Sequence, residues 1–248
     1  MKRNLLLLLL LPALAFVSCD DDDDYSLDKY WIGLATVENP DNEANFYIKL
    51  DNNELLWIAA NNFYNYRPHT GQRILADYTI LNDKPEGSGY DHDVKLNDAY
   101  NILTKGIIQV TPSMQDSIGN DPIDVRDIWV GSDYLNIKFS YRGQDRKHML
   151  NLVSDSSKVY TDGKVHLEFR HNAHQDSPTY VSSGLVSFNL ESLRRQPREN
   201  SIELVIHVKE TDNSEKTYER TYKFGEENKE TKEFDRDYFT NGKELNIE

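Results

Sequence analysis

His166, His171 and His174 lie close together in the sequence, and three imidazoles form a ligand set suited to zinc or copper. On a strand, however, His166 and His171 are an odd number of residues apart and project from opposite faces. The expectation is therefore a solvated strand end running into the loop His171-Asn172-Ala173-His174-Gln175-Asp176, with no metal bound. Asp91 and Asp93 make a carboxylate pair of the kind that glycosidases use for acid and base work, but in a chain with 42 acidic residues such a pair carries little information. Gly87-Ser88-Gly89 is not the G-x-S-x-G elbow, no H-E-x-x-H helix occurs, and no Gly-rich segment ends in Gly-Lys-Ser/Thr. A non-enzymatic protein without a cofactor is expected.

The clearest chemistry lies near the N-terminus. Lys2 and Arg3 precede an apolar stretch from Leu5 to Leu11, followed by Pro12-Ala13-Leu14-Ala15-Phe16-Val17-Ser18 and the chain's single cysteine, Cys19. This is the three-part layout of an export signal. The apolar run is shorter than the ~20 residues that cross a hydrocarbon core. Phe16-Val17-Ser18-Cys19 looks like a lipobox, at which the thiol is acylated and the chain is cut before the cysteine. With no second cysteine for a disulfide, Cys19 is expected to carry lipid and anchor the protein, and paired acyl chains hold stably where one is marginal.

Removal of residues 1–18 would take away Lys2 and Arg3 and shift the formal charge from −14 to −16. Asp20, Asp21, Asp22, Asp23 and Asp24 supply part of it as an extended, self-repelling tether. Such a balance argues against nucleic acid, whose phosphates are bound by neutralising Lys and Arg. The same Asp run lacks the glycine and distal glutamate of a calcium loop.

A third group is aromatic. Tyr47, Trp57, Phe63, Tyr64 and Tyr66 fall on or just after the second and third expected strands, and rings at such positions either fill a core or stack on a ligand. They are the candidate binding face.

The elements that must position these residues read as strands almost throughout. Residues 31–37, 45–50, 55–58, 72–81, 90–97 and 106–111 are apolar or alternating runs separated by turn clusters such as Asp51-Asn52-Asn53 and Pro68-His69-Thr70-Gly71. Six short strands with little room for a helix favour a small barrel. After Pro112, strands are expected at 127–130, 134–141, 148–153, 164–170, 184–190, 202–208 and 218–224, which make an antiparallel sandwich. Leu135, Ile137, Phe139 and Tyr141 alternate with Asn136, Lys138 and Ser140, as in a sheet with one core face and one wet face. The expected division is a signal at 1–18, a lipidated acidic tether at 19–29, a barrel at 30–118, a sandwich at 119–225 and a frayed charged segment at 226–248. The fold class is all-β.

Three segments carry a resemblance to a known family: Ser18-Cys19-Asp20-Asp21-Asp22, Gly71-Gln72-Arg73-Ile74-Leu75-Ala76-Asp77-Tyr78, and Asp127-Ile128-Trp129-Val130-Gly131-Ser132-Asp133-Tyr134-Leu135-Asn136-Ile137. In these, over nearly all of its mature length, the chain resembles the NigD-like lipoproteins of Gram-negative anaerobes. The resemblance implies an OB-type barrel followed by a β-sandwich, and it brings no catalytic signature. The family name derives from a member encoded beside a bacteriocin, which implies an immunity-type or general surface-binding role. It also implies that Asp20 to Asp24 act as an export signal, giving an outer-membrane lipoprotein exposed on the cell surface. OB barrels usually present ligands to the face that carries the aromatic group, so the expected partner is a peptide, protein or glycan.

Overall fold

The computed structural model describes residues 27–38, 46–63, 66–83, 87–194, 200–225, 230–236 and 247–248. Cys19, Asp20 to Asp24 and Tyr64 lie outside them. Five strands, β1 (Trp31–Glu38), β2 (Tyr47–Leu50), β3 (Leu55–Asn61), β4 (Arg73–Asp83) and β5 (His92–Asn101), close into a barrel in the order β1-β2-β3-β5-β4. The β3–β5 pair is parallel and the other pairs are antiparallel. Between β2 and β3 the chain reverses through Asn53, whose φ of 73° is one that asparagine tolerates better than most residues. Val37, Phe46, Ile48, Leu56, Ile58, Ile74, Val94 and Leu96 fill the barrel.

β4 shows why the barrel cannot stand alone. Its period of two sends Ile74, Ala76 and Tyr78 into the barrel core, while the alternate residues Arg73, Leu75 and Asp77 are also buried. A strand buried on both faces needs a second layer over its outer side. The sandwich supplies it.

The sandwich is built from β6 (Leu103–Lys105), β7 (Ile107–Val110), a short helix α1 (Gln115–Ile118), β8 (Asp124–Gly131), β9 (Tyr134–Gly143), β10 (Met149–Asp155), β11 (Val165–Asn172), β12 (Tyr180–Asn189), β13 (Ser201–Lys209) and β14 (Glu215–Lys223). Its sheets have the orders β14-β13-β11-β10-β7 and β6-β12-β9-β8. Three pairs, β7–β10, β11–β13 and β6–β12, are parallel within otherwise antiparallel sheets.

Three expectations are corrected here. The barrel was expected to run to residue 118, yet β6 pairs with β12 and β7 with β10. A local run of apolar residues states that a strand exists, not which sheet completes its hydrogen bonds. The wet face expected on β9 is also covered in part, since Asn136 is fully buried and Ser140 nearly so. Asn136 lies against the barrel, and Ser140 lies beneath Arg126. The charged segment 226–248 is docked where it is described: Phe234 is buried against Trp129, and the terminal Glu248 exchanges main-chain hydrogen bonds with His148 and Leu150. Among the described residues no helix is long and apolar enough to cross a membrane.

Candidate functional site

Tyr47 and Trp57 are directly opposed on β2 and β3, so their side chains share one face. Ile48, Leu56 and Ile58 take the inner face, which leaves the two rings outside, half-buried, with centroids 4.7 Å apart. Tyr90 joins them from the turn before β5, at 5.9 Å from Tyr47 and 6.3 Å from Trp57. That turn is clamped to β3 by two bonds: the Asp91 N–H donates to the Leu55 carbonyl at 2.7 Å, and the Leu55 N–H donates to Asp91 Oδ2 at 2.8 Å. A hydrogen bond from the Tyr90 hydroxyl to the Asp93 carboxylate holds that phenol protonated and above its ordinary range, with desolvation adding to the effect. The result is a three-ring patch with a carboxylate at its rim, suited to apolar and flat groups and to cations.

Phe63 and Tyr66 stand elsewhere. Phe63 packs on Tyr66 at 5.3 Å, Tyr66 meets the buried ring of Phe46 at 6.0 Å, and both pack against the barrel core. Desolvation, with Asp98 nearby, raises the Tyr66 phenol. The four described residues of the candidate face are thus divided between an outer patch, with Tyr47 and Trp57, and a plug of the barrel end, with Phe63 and Tyr66. Tyr90, absent from the sequence expectation, had as its only sequence signal its place in the turn Gly89-Tyr90-Asp91.

The domain junction is a second polar centre. Arg73 donates to Asp51 through two nitrogens, Nη1 to Oδ1 at 2.7 Å and Nη2 to Oδ2 at 3.1 Å, and both side chains are buried. Nη2 also reaches Asn136 Oδ1 at 3.2 Å, and the guanidinium lies 4.2 Å from the centre of the Tyr134 ring. Asn136 Oδ1 accepts in addition from Ser187 at 2.7 Å. Beside this network Trp129 packs among Ile32, Leu34, Leu75, Ile102, Leu185 and Phe234. A cavity of about 420 Å³ opens here, lined in part by Trp31, Tyr78, Trp129 and Phe234.

The three histidines are dispersed. His166 Nδ1 lies 2.9 Å from His207 Nε2, with Asp162 on its other nitrogen at 3.0 Å. His171 Nε2 lies 2.7 Å from His148 Nδ1, while His174 Nδ1 meets the Lys147 carbonyl. The strand end is not solvated as expected, since His171 is buried between His148 and the Pro122 carbonyl, and this burial pushes it down to about 4. Desolvation works against ionised Asp176, but bonds from the Gln144, Asp145 and Ser177 amides and from His148 hold it well below the usual carboxylate range. Among the described residues no three His, Cys, Asp or Glu side chains converge as a metal site.

The family model for the NigD-like N-terminal OB domain matches residues 34–102, and that for the NigD-like C-terminal β-sandwich domain matches residues 106–222. The chain belongs to the NigD-like family. A crystal structure of a protein of unknown function from Bacteroides vulgatus is 30% identical, with a TM-score of 0.74 over 87% of this chain and 100% of the other. A protein named as toxin related from Parabacteroides distasonis is 35% identical, with a TM-score of 0.69 over 80% of this chain and 96% of that one. A NigD-like immunity protein from Bacteroides caccae shares the fold at 21% identity, with a TM-score of 0.57 over 79% and 93% of the two chains. No curated protein matches. In this NigD-like chain the two folded segments that carry the family resemblance, residues 71–78 and 127–137, meet at the junction through Arg73, Trp129, Tyr134 and Asn136.

Proposed function

We propose that this NigD-like chain is a lipid-anchored envelope protein that acts by binding a protein or peptide, in an immunity-type role, without catalysis. The observation that carries the reading is the outward patch of Tyr47, Trp57 and Tyr90. Aromatic rings held rigidly at a surface anchor interfaces at low entropic cost. The name of the Bacteroides caccae relative adds support for immunity. Lipid on Cys19 and the acids Asp20 to Asp24 would set the protein at the outer membrane, facing outward.

A glycan-binding role is the rival, because sugars also stack on tyrosine and tryptophan. The ring planes here are inclined by 51°, 47° and 33° to one another, which suits an irregular protein surface better than a flat sugar bed. Deleting the gene should sensitise cells to one secreted toxin while sugar growth stays normal, and a copy carrying Trp57→Ala should fail to restore protection although it folds. Loss of growth on one polysaccharide, with toxin sensitivity unchanged, would favour the glycan role. Metabolic labelling with a fatty-acid probe should tag the wild type and not Cys19→Ala; equal labelling removes the anchor.

A further inference from the structure

The strand pairing sets four side chains in one row around the outside of the barrel. Glu38 is opposed to Tyr47, Tyr47 to Trp57, and Trp57 to Asp93. Opposed residues share a face, and each of the four is next along its strand to a core residue, Val37, Ile48, Leu56 or Val94, so all four point outward. All are half-buried. Neighbouring strands lie about 4.8 Å apart, so each carboxylate stands one strand away from a ring. The row reads acid, tyrosine, tryptophan, acid. At its Asp93 end Tyr90 stands 6.3 Å from Trp57 and donates its hydroxyl to the Asp93 carboxylate. Lys49 and Lys95 stand outside the row, opposite Leu55 and Ala60.

We infer that this row takes an arginine from a basic segment of the partner protein, an inference that rests on the aromatic patch being the binding face. The faces of aromatic rings attract cations, tryptophan most strongly. A guanidinium is flat and weakly hydrated, so it stacks on a ring while its N–H groups donate to a carboxylate beside that ring. With acids at both ends, a side chain stacked on Tyr47 or Trp57 meets an acceptor whether it enters from β1 or from β5. Other partners fit worse. A purely apolar segment would strip water from Glu38 and Asp93 without pairing either. An acidic one would be repelled by both, and by a chain whose formal charge is −14.

Nuclear magnetic resonance of the full chain with isotope-labelled indoles reads its three tryptophans separately. The probe is a short peptide of alternating glycine and arginine, and its control is the same peptide with citrulline, which keeps the shape of arginine without the charge. The arginine peptide should shift the Trp57 signal saturably and leave that of buried Trp129 in place. The citrulline peptide should bind about tenfold more weakly. Glu38→Gln with Asp93→Asn should weaken the arginine peptide by a similar factor. Asp116→Asn with Glu191→Gln, which removes as much charge from exposed positions elsewhere, should not. An unmoved Trp129 signal in both double variants shows that they fold. Equal affinity for the two peptides, equal affinity of the two double variants, or no saturable Trp57 shift overturns the inference. A Trp57 signal that moves with chain concentration alone overturns it too, since a second copy would then hold the face. Failure here is separable from failure of the binding reading: if Trp57→Ala still abolishes protection while the arginine preference is missing, the face binds and only the arginine falls.

Discussion

Arg73 Nη2 in the barrel donates to Asn136 Oδ1 in the sandwich across 3.2 Å. Asn136 Nδ2 in turn donates to Asp51 Oδ2, also at 3.2 Å. Asp51 is the carboxylate that Arg73 already grips, so three buried side chains tie the two domains through one closed ring of hydrogen bonds. Such networks are costly when broken and specific when complete.

Replacing Arg73 alone leaves the Asp51 carboxylate buried without its counter-ion. Arg73→Met should lower stability by about 3–5 kcal/mol, read from the urea midpoint. The double variant Arg73→Met with Asp51→Leu should lose less than the single one, because no uncompensated charge is left behind. Equal losses in the two would deny the ion pair this role.

Gly131 stands where β8 passes Asp51. A Cβ added there would fall 2.5 Å from Asp51 Oδ2, and the carboxylate cannot retreat without leaving Arg73. Gly131→Ala should cost about 1–3 kcal/mol. Gly106→Ala, at a position with open space around it, is the control and should unfold at the wild-type midpoint.

His171 supplies a pH dependence whose sign can be worked out. Its folded pKa of about 4 lies below the ordinary value of 6.5, so the unfolded chain takes up the proton first as pH falls. Its contribution is fully present above about pH 6.5 and is lost down to about pH 4, a change on the order of 3 kcal/mol. Asp176, held low, contributes above the ordinary carboxylate range and loses its contribution only at more acid pH. Urea unfolding from pH 7 to pH 4 should be steeper in pH for the wild type than for His171→Gln; identical slopes would refute this.

Phe234 closes the junction from the C-terminal side, 6.3 Å from Trp129 and with Lys138 Nζ 4.1 Å above its ring. Phe234→Ala should cost about 3 kcal/mol and shift the Trp129 emission to the red as water reaches the indole. An unchanged spectrum would show that the segment does not seal the junction.

Much of the strand framework was legible, because a period of two is a property of neighbouring residues. Leu135, Ile137, Phe139 and Tyr141 all face the sandwich core as their alternation requires. The turn at Asp51-Asn52-Asn53 lies between β2 and β3, and β1, β4 and β5 overlap their expected runs. The odd spacing of His166 and His171 likewise agrees with their separate partners, His207 and His148.

The amino-acid sequence by itself determined an all-β chain of two strand-rich blocks and the two junction segments that carry the family resemblance. Only the tertiary structure decided that Asn136 is dry, that β6 and β7 complete the sandwich, and that Trp57 takes Tyr90 as a neighbour while Phe63 and Tyr66 plug the barrel. The physical reason is range. Alternation along a strand records that two faces differ, whereas the layer that covers each face, and the ring beside each ring, come from chain segments brought together by closure of the barrel and docking of the sandwich.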